Sequence, residues 1–268
     1  MIGIDFGASY IDLVQFKGKK LISKVSFKTE KNSFNKLKKL LRRKEFEGEE
    51  VFITGGKAGD KRILKLLKGF KVERVDEINA IGEGARFLSK KKNFLTVNIG
   101  TGTPFVFVKG KKIIHLGGTG LGGGSLEGLG KILLNKRVEE LEEVGRKGKL
   151  ELDLKVKDII GKGIGIIPAD ATASNFGKAM KIKVKREEIA LCLLNLMAEG
   201  IGVMSVFAAR SSGCSEIVFT GRVTAKNKFI RERIKKVMKL FNNKGVFPSN
   251  AEYATAIGAI VSNMKNLS

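Results

Sequence analysis

Short apolar runs recur along this chain, and most of them end at glycine. Amphipathic stretches with helical spacing follow these runs, so the pattern predicts strands that alternate with helices. Three predicted strands pass into a glycine turn that leads to a helix, at residues 51–56, 112–124 and 216–222. Alternation of this kind predicts an α/β fold in which ligands bind at the carboxyl ends of the strands.

The apolar pattern places elements over most of the chain. The predicted strands start at residue 2 and otherwise cover residues 11–14, 21–27, 51–54, 70–74, 95–99, 104–108, 112–116 and the start of 216–222. The predicted helices begin at residue 33 or cover residues 60–67, 76–88, 126–144, 189–209, 226–241 and 254–259. Residues 150–156 fit a strand or a short helix. A flexible loop then leads to a small-residue segment, residues 168–177, that we expect to be buried.

Residues 95–134 are the stretch around which the chain is organised. Two strands joined by the turn Gly100–Thr103 are followed by a third strand, the glycine-rich run Gly117–Gly124 and a helix from about Ser125. Dense glycines let backbone N–H groups approach an anion, and the start of a helix adds a positive dipole end. Thr101 and Ser125 add hydroxyl groups beside those amides. This stretch therefore predicts a phosphate-binding hinge in an enzyme that uses ATP.

Two acidic residues near predicted turns are candidates for chemistry. Asp5 ends the first strand, where a carboxylate either holds Mg²⁺ through water or only caps the turn that follows. Asp76 and Glu77 open a helix, where an acidic residue usually favours the helix dipole. The alternative for Glu77 is a general base that faces the cleft.

Two common nucleotide motifs do not apply to this chain. Gly118–Gly123 matches GxGxxG in form, but no acidic residue ends a second strand about 20 residues later, as a dinucleotide site requires. No Gly-Lys pair is followed by Ser or Thr, so a Walker A loop is also absent.

The chain is strongly basic, with 51 Lys and Arg against 27 Asp and Glu, a formal net charge of +24. A polyanionic partner would explain this excess, as would a general richness in lysine. The lysines are spread over many segments with no aromatic residues interleaved, so a nucleic-acid platform is not expected. Exposed lysine faces on amphipathic helices account for the charge.

Several features indicate a cytoplasmic protein. Cys192 and Cys214 have neither disulfide-framework nor zinc-site spacing. The chain starts directly with a strand at Met1–Asp5, so we expect no signal peptide. Residues 189–209 have about the length of a membrane span but include Asn195 and Glu199, which favours a buried or subunit-packing helix. We expect no membrane partner.

Nine motifs, in order and spacing, resemble the type II pantothenate kinase family, and together they cover essentially the whole chain. They are IDFGAS at residues 4–9, TGG at 54–56, DEINAIGEG at 76–84, NIGTGT at 98–103, GGTGLGGGSLEGLG at 117–130, LDLKVKDI at 152–159, PADATASNFGK at 168–178, VFTG at 218–221 and AIGA at 256–259.

The resemblance implies a two-lobed actin-like (ribonuclease H-like) ATPase fold with an interlobe cleft. We expect an N-terminal lobe over residues 1–92 and a C-terminal lobe over residues 93–268 that carries a dimerisation helix. The implied reaction transfers the γ-phosphoryl group of MgATP to a hydroxyl group of a small-molecule substrate, pantothenate, in a homodimer. The implied site residues are the general base Glu77, the Mg²⁺ ligand Asp5 (through water), and, for ATP, Gly7, Ala8, Ser9, Thr101, Gly102, Gly122, Gly123, Gly124, Ser125, Gly221 and Arg222.

The acceptor end departs from the family pattern. Asp12 stands where the family usually has a lysine, His115 where it has the arginine for the pantothenate carboxylate, and Pro104 where it has a serine. We expect Thr101 and His115 to be the substrate contacts. A near-neutral imidazole binds a carboxylate more weakly than a guanidinium, and proline offers no donor.

These departures leave alternatives open. One is a kinase of a related acceptor without the carboxylate, such as pantetheine. Another is a non-catalytic nucleotide-binding module of the same fold. A third, resting on Cys192 and Cys214, is an iron–sulfur ATPase activator of the same superfamily, although a buried hydrophobic role is commoner for cysteine.

Overall fold

A computed structural model describes residues 1–264 of the protein. Its strands are β1 (Ile2–Phe6), β2 (Tyr10–Lys17), β3 (Lys20–Lys28), β4 (Glu50–Thr54), β5 (Lys71–Arg74), β6 (Asn93–Asn98), β7 (Thr103–Lys109), β8 (Lys112–Thr119), β9 (Leu154–Lys155), β10 (Thr172–Ser174), β11 (Glu216–Thr220) and β12 (Lys244–Val246). Its α-helices are α1 (Ser33–Leu41), α2 (Lys61–Leu66), α3 (Glu77–Ser89), α4 (Gly123–Leu134), α5 (Val138–Gly145), α6 (Val156–Ile160), α7 (Arg186–Ser211), α8 (Arg222–Lys226), α9 (Lys228–Leu240) and α10 (Ala254–Met264).

Within these residues two five-stranded sheets share one topology. The first has the order β3-β2-β1-β4-β5 and the second the order β8-β7-β6-β11-β12. In both, the first three strands are antiparallel neighbours and the last two run parallel to the central strand. The protein is therefore built from two similar α/β lobes, as the two-lobed fold class predicts.

Each lobe has its own apolar core. In the first, Ile4 and Phe6 of β1 pack with Leu37 of α1 and Ile63 of α2. In the second, β6 and β11 pack against α7, and Met197 is among the helix residues that are buried there. Burial of these side chains at about 25 cal/mol per Å² is the main stabilising term. Helix α7 has the length and apolarity of a membrane span, yet 61% of its most apolar window is buried inside the protein.

Helices α3 and α10 cross in backbone contact. A Cβ atom on Gly84 would lie 1.8 Å from the Ala254 carbonyl oxygen, and one on Gly258 would lie 1.7 Å from the Ala80 carbonyl oxygen. Both positions therefore need glycine for close approach. Helix α10 also packs its Ile260 and Ala256 near β1, where a Cβ on Gly3 would meet them. The last described helix thus returns to the first sheet, and the division at residue 92 stays a prediction.

Several predicted elements differ from those observed. The single helix expected over 126–144 is broken into α4 and α5, because Asn135 adopts φ 54° and ends α4. The helix expected over 226–241 begins at Lys228, with Asn227 as its cap, and a separate short α8 precedes it. Residues 150–156 hold both a two-residue strand and the start of α6.

The expectation that residues 168–177 are buried is wrong. None of these residues is buried, and Pro168 and Asp170 are exposed. Small side chains fit a core as well as they fit a solvent-exposed arm, so composition did not distinguish the two. Its middle residues, Thr172–Ser174, form β10, and this strand pairs with β9 next to α7.

The α3–α10 contact predicts that Gly258→Ala is strongly destabilising. The helices must separate to admit a methyl group 1.7 Å from a carbonyl oxygen. We expect the free energy of unfolding to fall by about 3 kcal/mol. Urea denaturation followed by circular dichroism measures the change.

Gly128→Ala is the matched control, because Gly128 also lies in a helix and a Cβ there meets nothing within 4 Å. We expect its stability to be unchanged or raised by about 0.5–1 kcal/mol. Equal urea concentrations at the unfolding midpoint for the two variants would contradict the close contact between α3 and α10.

Candidate functional site

A cleft of about 1050 Å³ opens between the two lobes. Both walls are the carboxyl ends of central strands and the turns after them. Eleven of the residues predicted from the sequence line this cleft, namely Asp5, Gly7, Ala8, Ser9, Glu77, Thr101, Gly102, His115, Gly123, Gly221 and Arg222. The structure therefore brings together groups from opposite ends of the sequence, from Asp5 to Arg222.

The two walls are equivalent by position. Asp5 pairs with Thr54 where β1 meets β4, and Asn98 pairs with Thr220 where β6 meets β11. The glycine after each threonine has a positive φ, 93° at Gly55 and 89° at Gly221. At both turns a side chain would clash with the neighbouring strand end, with the added Cβ only 2.4 Å from the Ile99 carbonyl oxygen at Gly221. These glycines let the turns fold tightly over Asp5 and Asn98.

Asp5 carries a carboxylate oxygen without a partner. Its Oδ1 atom is shielded from solvent and has no hydrogen-bond partner among residues 1–264. Burial, together with the charges of Asp12 and Glu77, raises the pKa of Asp5 to about 8, against the lowering effect of Arg222. A cation beside this oxygen would satisfy it and keep the carboxylate ionised.

Glu77 is free for chemistry because its neighbour caps the helix. The Asp76 carboxylate accepts a hydrogen bond from the Asn79 amide at 2.9 Å, which makes Asp76 the N-cap of α3. Glu77 begins the helix, is accessible to solvent and lines the cleft. Desolvation by the surrounding protein raises the pKa of Glu77, and the Asp76 charge adds to this. A carboxylate with a raised pKa is a better proton acceptor.

In the wall formed by the second sheet, two backbone amides that were predicted to bind phosphate already donate hydrogen bonds to carbonyl groups. The Gly123 amide donates to the Gly100 carbonyl at 2.7 Å, and the Gly124 amide donates to the Thr101 carbonyl at 2.9 Å. These bonds tie the start of α4 to the central turn. A phosphate contact from either amide would require that turn to move.

Three of the predicted ATP residues, Gly122, Gly124 and Ser125, are not among the residues that line the cleft. The Ser125 hydroxyl donates to the Gly120 carbonyl at 2.6 Å, so it holds the glycine-rich loop. Backbone at Gly122 is packed closely, since a Cβ there would lie 2.4 Å from the Thr101 carbonyl oxygen. Their roles in nucleotide binding stay predictions.

The lobes touch across the cleft at two predicted side chains, Ser9 and Thr101, and at others that sequence reasoning missed. The Ser9 and Thr101 hydroxyls lie 2.8 Å apart, which joins the two turns. The Tyr10 hydroxyl donates to Glu139 Oε1 at 2.6 Å, and Lys28 pairs with the same oxygen at 3.0 Å. Nothing in the local sequence marks Tyr10 or Glu139, because their pairing depends on how the lobes are placed.

His115 and Pro104, which the sequence predicts at the acceptor end, line the cleft together with Thr119. His115 lies on β8 and is exposed. Pro104 pairs with Gly118 between β7 and β8, so both departures from the family pattern lie on one edge hairpin of the second sheet.

The residues present fit a magnesium ion that is held mainly by water and by phosphate oxygens of the bound nucleotide. Within residues 1–264 no cluster of three or more His, Cys, Asp or Glu side chains could enclose a metal ion. Mg²⁺ commonly needs only one or two protein carboxylates, with water and phosphate oxygens completing its shell. The unpartnered Asp5 Oδ1 supplies one such oxygen.

Two matching α/β lobes around a cleft with glycine turns on both walls define the two-lobed actin-like ATPase fold. Solved structures agree with this class. The chain resembles an activator of the 2-hydroxyisocaproyl-CoA dehydratase from Clostridium difficile with bound ADPNP, at TM-score 0.68 and 15% identity, covering 99% of this chain and 94% of that one. It also resembles a ROK family glucokinase from Streptomyces griseus in complex with glucose and AMPPNP, at TM-score 0.64 and 13% identity, covering 99% of both chains.

The sequence narrows the class to one family. The sequence model of the Fumble family matches residues 92–262. A type II pantothenate kinase from Bacillus thuringiensis subsp. konkukian is 31% identical over 272 positions, covering 97% of this chain and 96% of the relative. One from Bacillus cereus strain ATCC 10987 is 32% identical over 279 positions, covering 99% of both. The chain belongs to the type II pantothenate kinase family.

Asp5→Asn tests the metal ligand by a reading that does not depend on activity. The change keeps the side-chain shape and removes the charge, so we expect the folded protein to persist. The rise in melting temperature with MgATP should shrink to the rise seen with ATP and EDTA. Thermal shift measures both. A full magnesium-dependent rise in the variant would contradict the role of Asp5.

Proposed function

We propose that this protein is an ATP-dependent pantothenate kinase that forms 4'-phosphopantothenate, the first step of coenzyme A biosynthesis. Relatives over nearly the full length are type II pantothenate kinases. The observation that carries the proposal is the cleft itself. Glu77, Asp5 and the turns at Gly7–Ser9 and Thr101–Gly102 all line it.

The cleft residues divide the work of phosphoryl transfer. Glu77 accepts the proton of the acceptor hydroxyl, which suits a reaction that depends mainly on position and charge. The turns at Gly7–Ser9 and Thr101–Gly102 bind the phosphates, and Thr101 lies near the transferred group. Mg²⁺, when bound at Asp5, neutralises charge that develops on the phosphates. Closure of the lobes excludes water from the transfer.

The acceptor remains open to a second candidate, a relative of pantothenate without the carboxylate, such as pantetheine. Pro104 has no N–H to donate and His115 offers a single imidazole, so this edge of the cleft offers few donors to a carboxylate. Comparing kcat/KM for the two acceptors decides between them. Equal or better use of pantothenate excludes the second candidate.

The remaining expectations concern partners and location. We propose a cytoplasmic homodimer that binds neither nucleic acid nor membrane. Cys192 is fully buried on α7, which supports a packing role and not an exposed cluster ligand. Described lysines in several elements pair locally with acids, for example Lys71 with Glu50 and Lys136 with Glu140, as solvated faces do.

The dimer proposal rests on α7 and on the segment beside it, residues 164–180, which we call the arm. Phe207 on α7 is 56% exposed, and Ile164, Ile166 and Met180 of the arm are exposed as well. Phe207→Glu should weaken the dimer, measured as the molar mass by light scattering. Leu64→Glu, at an equally exposed position of α2 in the other lobe, is the control and should leave the mass unchanged. A monomeric wild-type protein would exclude the proposal.

Glu77→Gln tests the general base. The amide cannot accept the proton, so kcat should fall roughly 10²- to 10⁴-fold while ATP still binds. In the wild type, the raised pKa of Glu77 means that kcat/KM falls as pH drops through a value above the usual range for glutamate.

Asp76→Asn is the matched control for this prediction. Asparagine is as good an N-cap as aspartate, so the helix start is kept. Removing the neighbouring charge lowers the pKa of Glu77 and should shift the acidic limb of the profile of kcat/KM against pH to lower pH. A Glu77→Gln enzyme with unchanged kcat, or a profile that Asp76→Asn leaves in place, would argue against Glu77 as the base.

A further inference from the structure

Arg222 is the cation most firmly fixed in the cleft. It follows Gly221, whose tight turn over β6 aims the side chain toward the first lobe. Its Nη2 atom lies 2.5 Å from Asp12 Oδ1 and also donates to the Ser26 hydroxyl. The guanidinium carbon lies 3.9 Å from the centre of the Tyr10 ring. One residue of the second lobe is thus held by three residues of the first.

The hydrogen bonds to Asp12 and Ser26 leave another N–H group of the Arg222 guanidinium without a partner. The Nε atom of Arg222 is buried and has no hydrogen-bond partner in the part of the chain that the structure describes. A buried N–H without a partner costs free energy, because it has lost its hydrogen bond to water. An acceptor oxygen from a ligand in the cleft would remove that cost once the lobes adjust to admit it.

The other cations that line the cleft are less suited to this task. Lys28 is paired with Glu139, Lys226 is paired with Glu252 and is 60% exposed, and the third, Arg137, is exposed to solvent. Arg222 is only 20% exposed, so water screens its charge less. A planar guanidinium also matches phosphate oxygens better than an ammonium does.

The cleft needs a fixed positive charge. Asp5 and Glu77 line it, and in their ionised forms they repel a triphosphate. Two of the amides that were expected to bind phosphate are engaged with the central turn. Arg222 stands beside one of the carboxylates that line the cleft, that of Asp12, and pairs with it.

We propose that Arg222 binds the phosphate chain of the nucleotide, and that Asp12 and Tyr10 position it. Asp12 binds one edge of the guanidinium and Tyr10 covers one face, so the side chain keeps one orientation. An acid at position 12, next to a phosphate site, is then a support for the cation and not an obstacle. The inference rests on the proposed kinase function, but its test needs only nucleotide binding.

The test compares MgATP with adenosine, since only MgATP has phosphates. We expect Arg222→Met to weaken MgATP binding roughly 10- to 100-fold by calorimetry and to leave adenosine binding unchanged. Arg222→Lys should recover part of the loss. Equal losses for both ligands, or no loss for MgATP, would overturn the proposal.

The positioning role has its own readout. Asp12→Asn and Tyr10→Leu should each weaken MgATP binding roughly 2- to 30-fold, while Tyr10→Phe, which keeps the ring, should not. In an Arg222→Met background Asp12→Asn should have no further effect. Additive losses would show that Asp12 does not act through Arg222.

Two controls keep the outcome readable. Lys24→Met removes another contact between the lobes, the 2.5 Å hydrogen bond from Lys24 to Asn250. Neither residue lines the cleft, so this variant should leave MgATP binding unchanged. If Arg222→Met does not fold, the double variant Asp12→Asn, Arg222→Gln leaves no unpaired charge and carries the same test. Binding without any turnover of pantothenate would count against the proposed function and not against this inference.

Discussion

The backbone contact between α3 and α10 is the constraint on which the cleft depends. Gly84 and Gly258 let the two helices meet without side chains between them. Helix α3 begins at Glu77, so the contact that fixes the helix also fixes the carboxylate at its start. Helix α10 packs on β1, which ends at the turn after Asp5. One close helix pair therefore sets the distance between the candidate base and the candidate metal ligand.

The balance of charge in the cleft follows from that geometry. Several carboxyl groups line this space, which is suited to a polyanion, and burial raises the pKa values of three of them, Asp5, Asp12 and Glu77. Such a site is poor at holding phosphate until cations enter it. Arg222 provides one from within the chain and the metal ion provides another, so nucleotide and metal are expected to bind together.

Local patterns in the sequence predicted much of the fold and the cleft. Strand ends such as Thr54–Gly55 and the cap at Asp76 are determined by neighbours in sequence, so they were predictable. The break at Asn135 depends on a left-handed residue inside an apolar pattern, which periodicity does not detect. The pairing of Asp12 with Arg222 joins two lobes, and no local pattern encodes it.

The equivalence of the two sheets has a historical consequence. Matching strand order, together with Thr-Gly turns at the same register, is what duplication and fusion of a half-sized ancestor would leave behind. Two identical halves would present the same group on both walls, but a kinase must distinguish the donor from the acceptor. The pair Asp5 and Asn98 records where that symmetry was broken, with a charge kept on one side and an amide on the other.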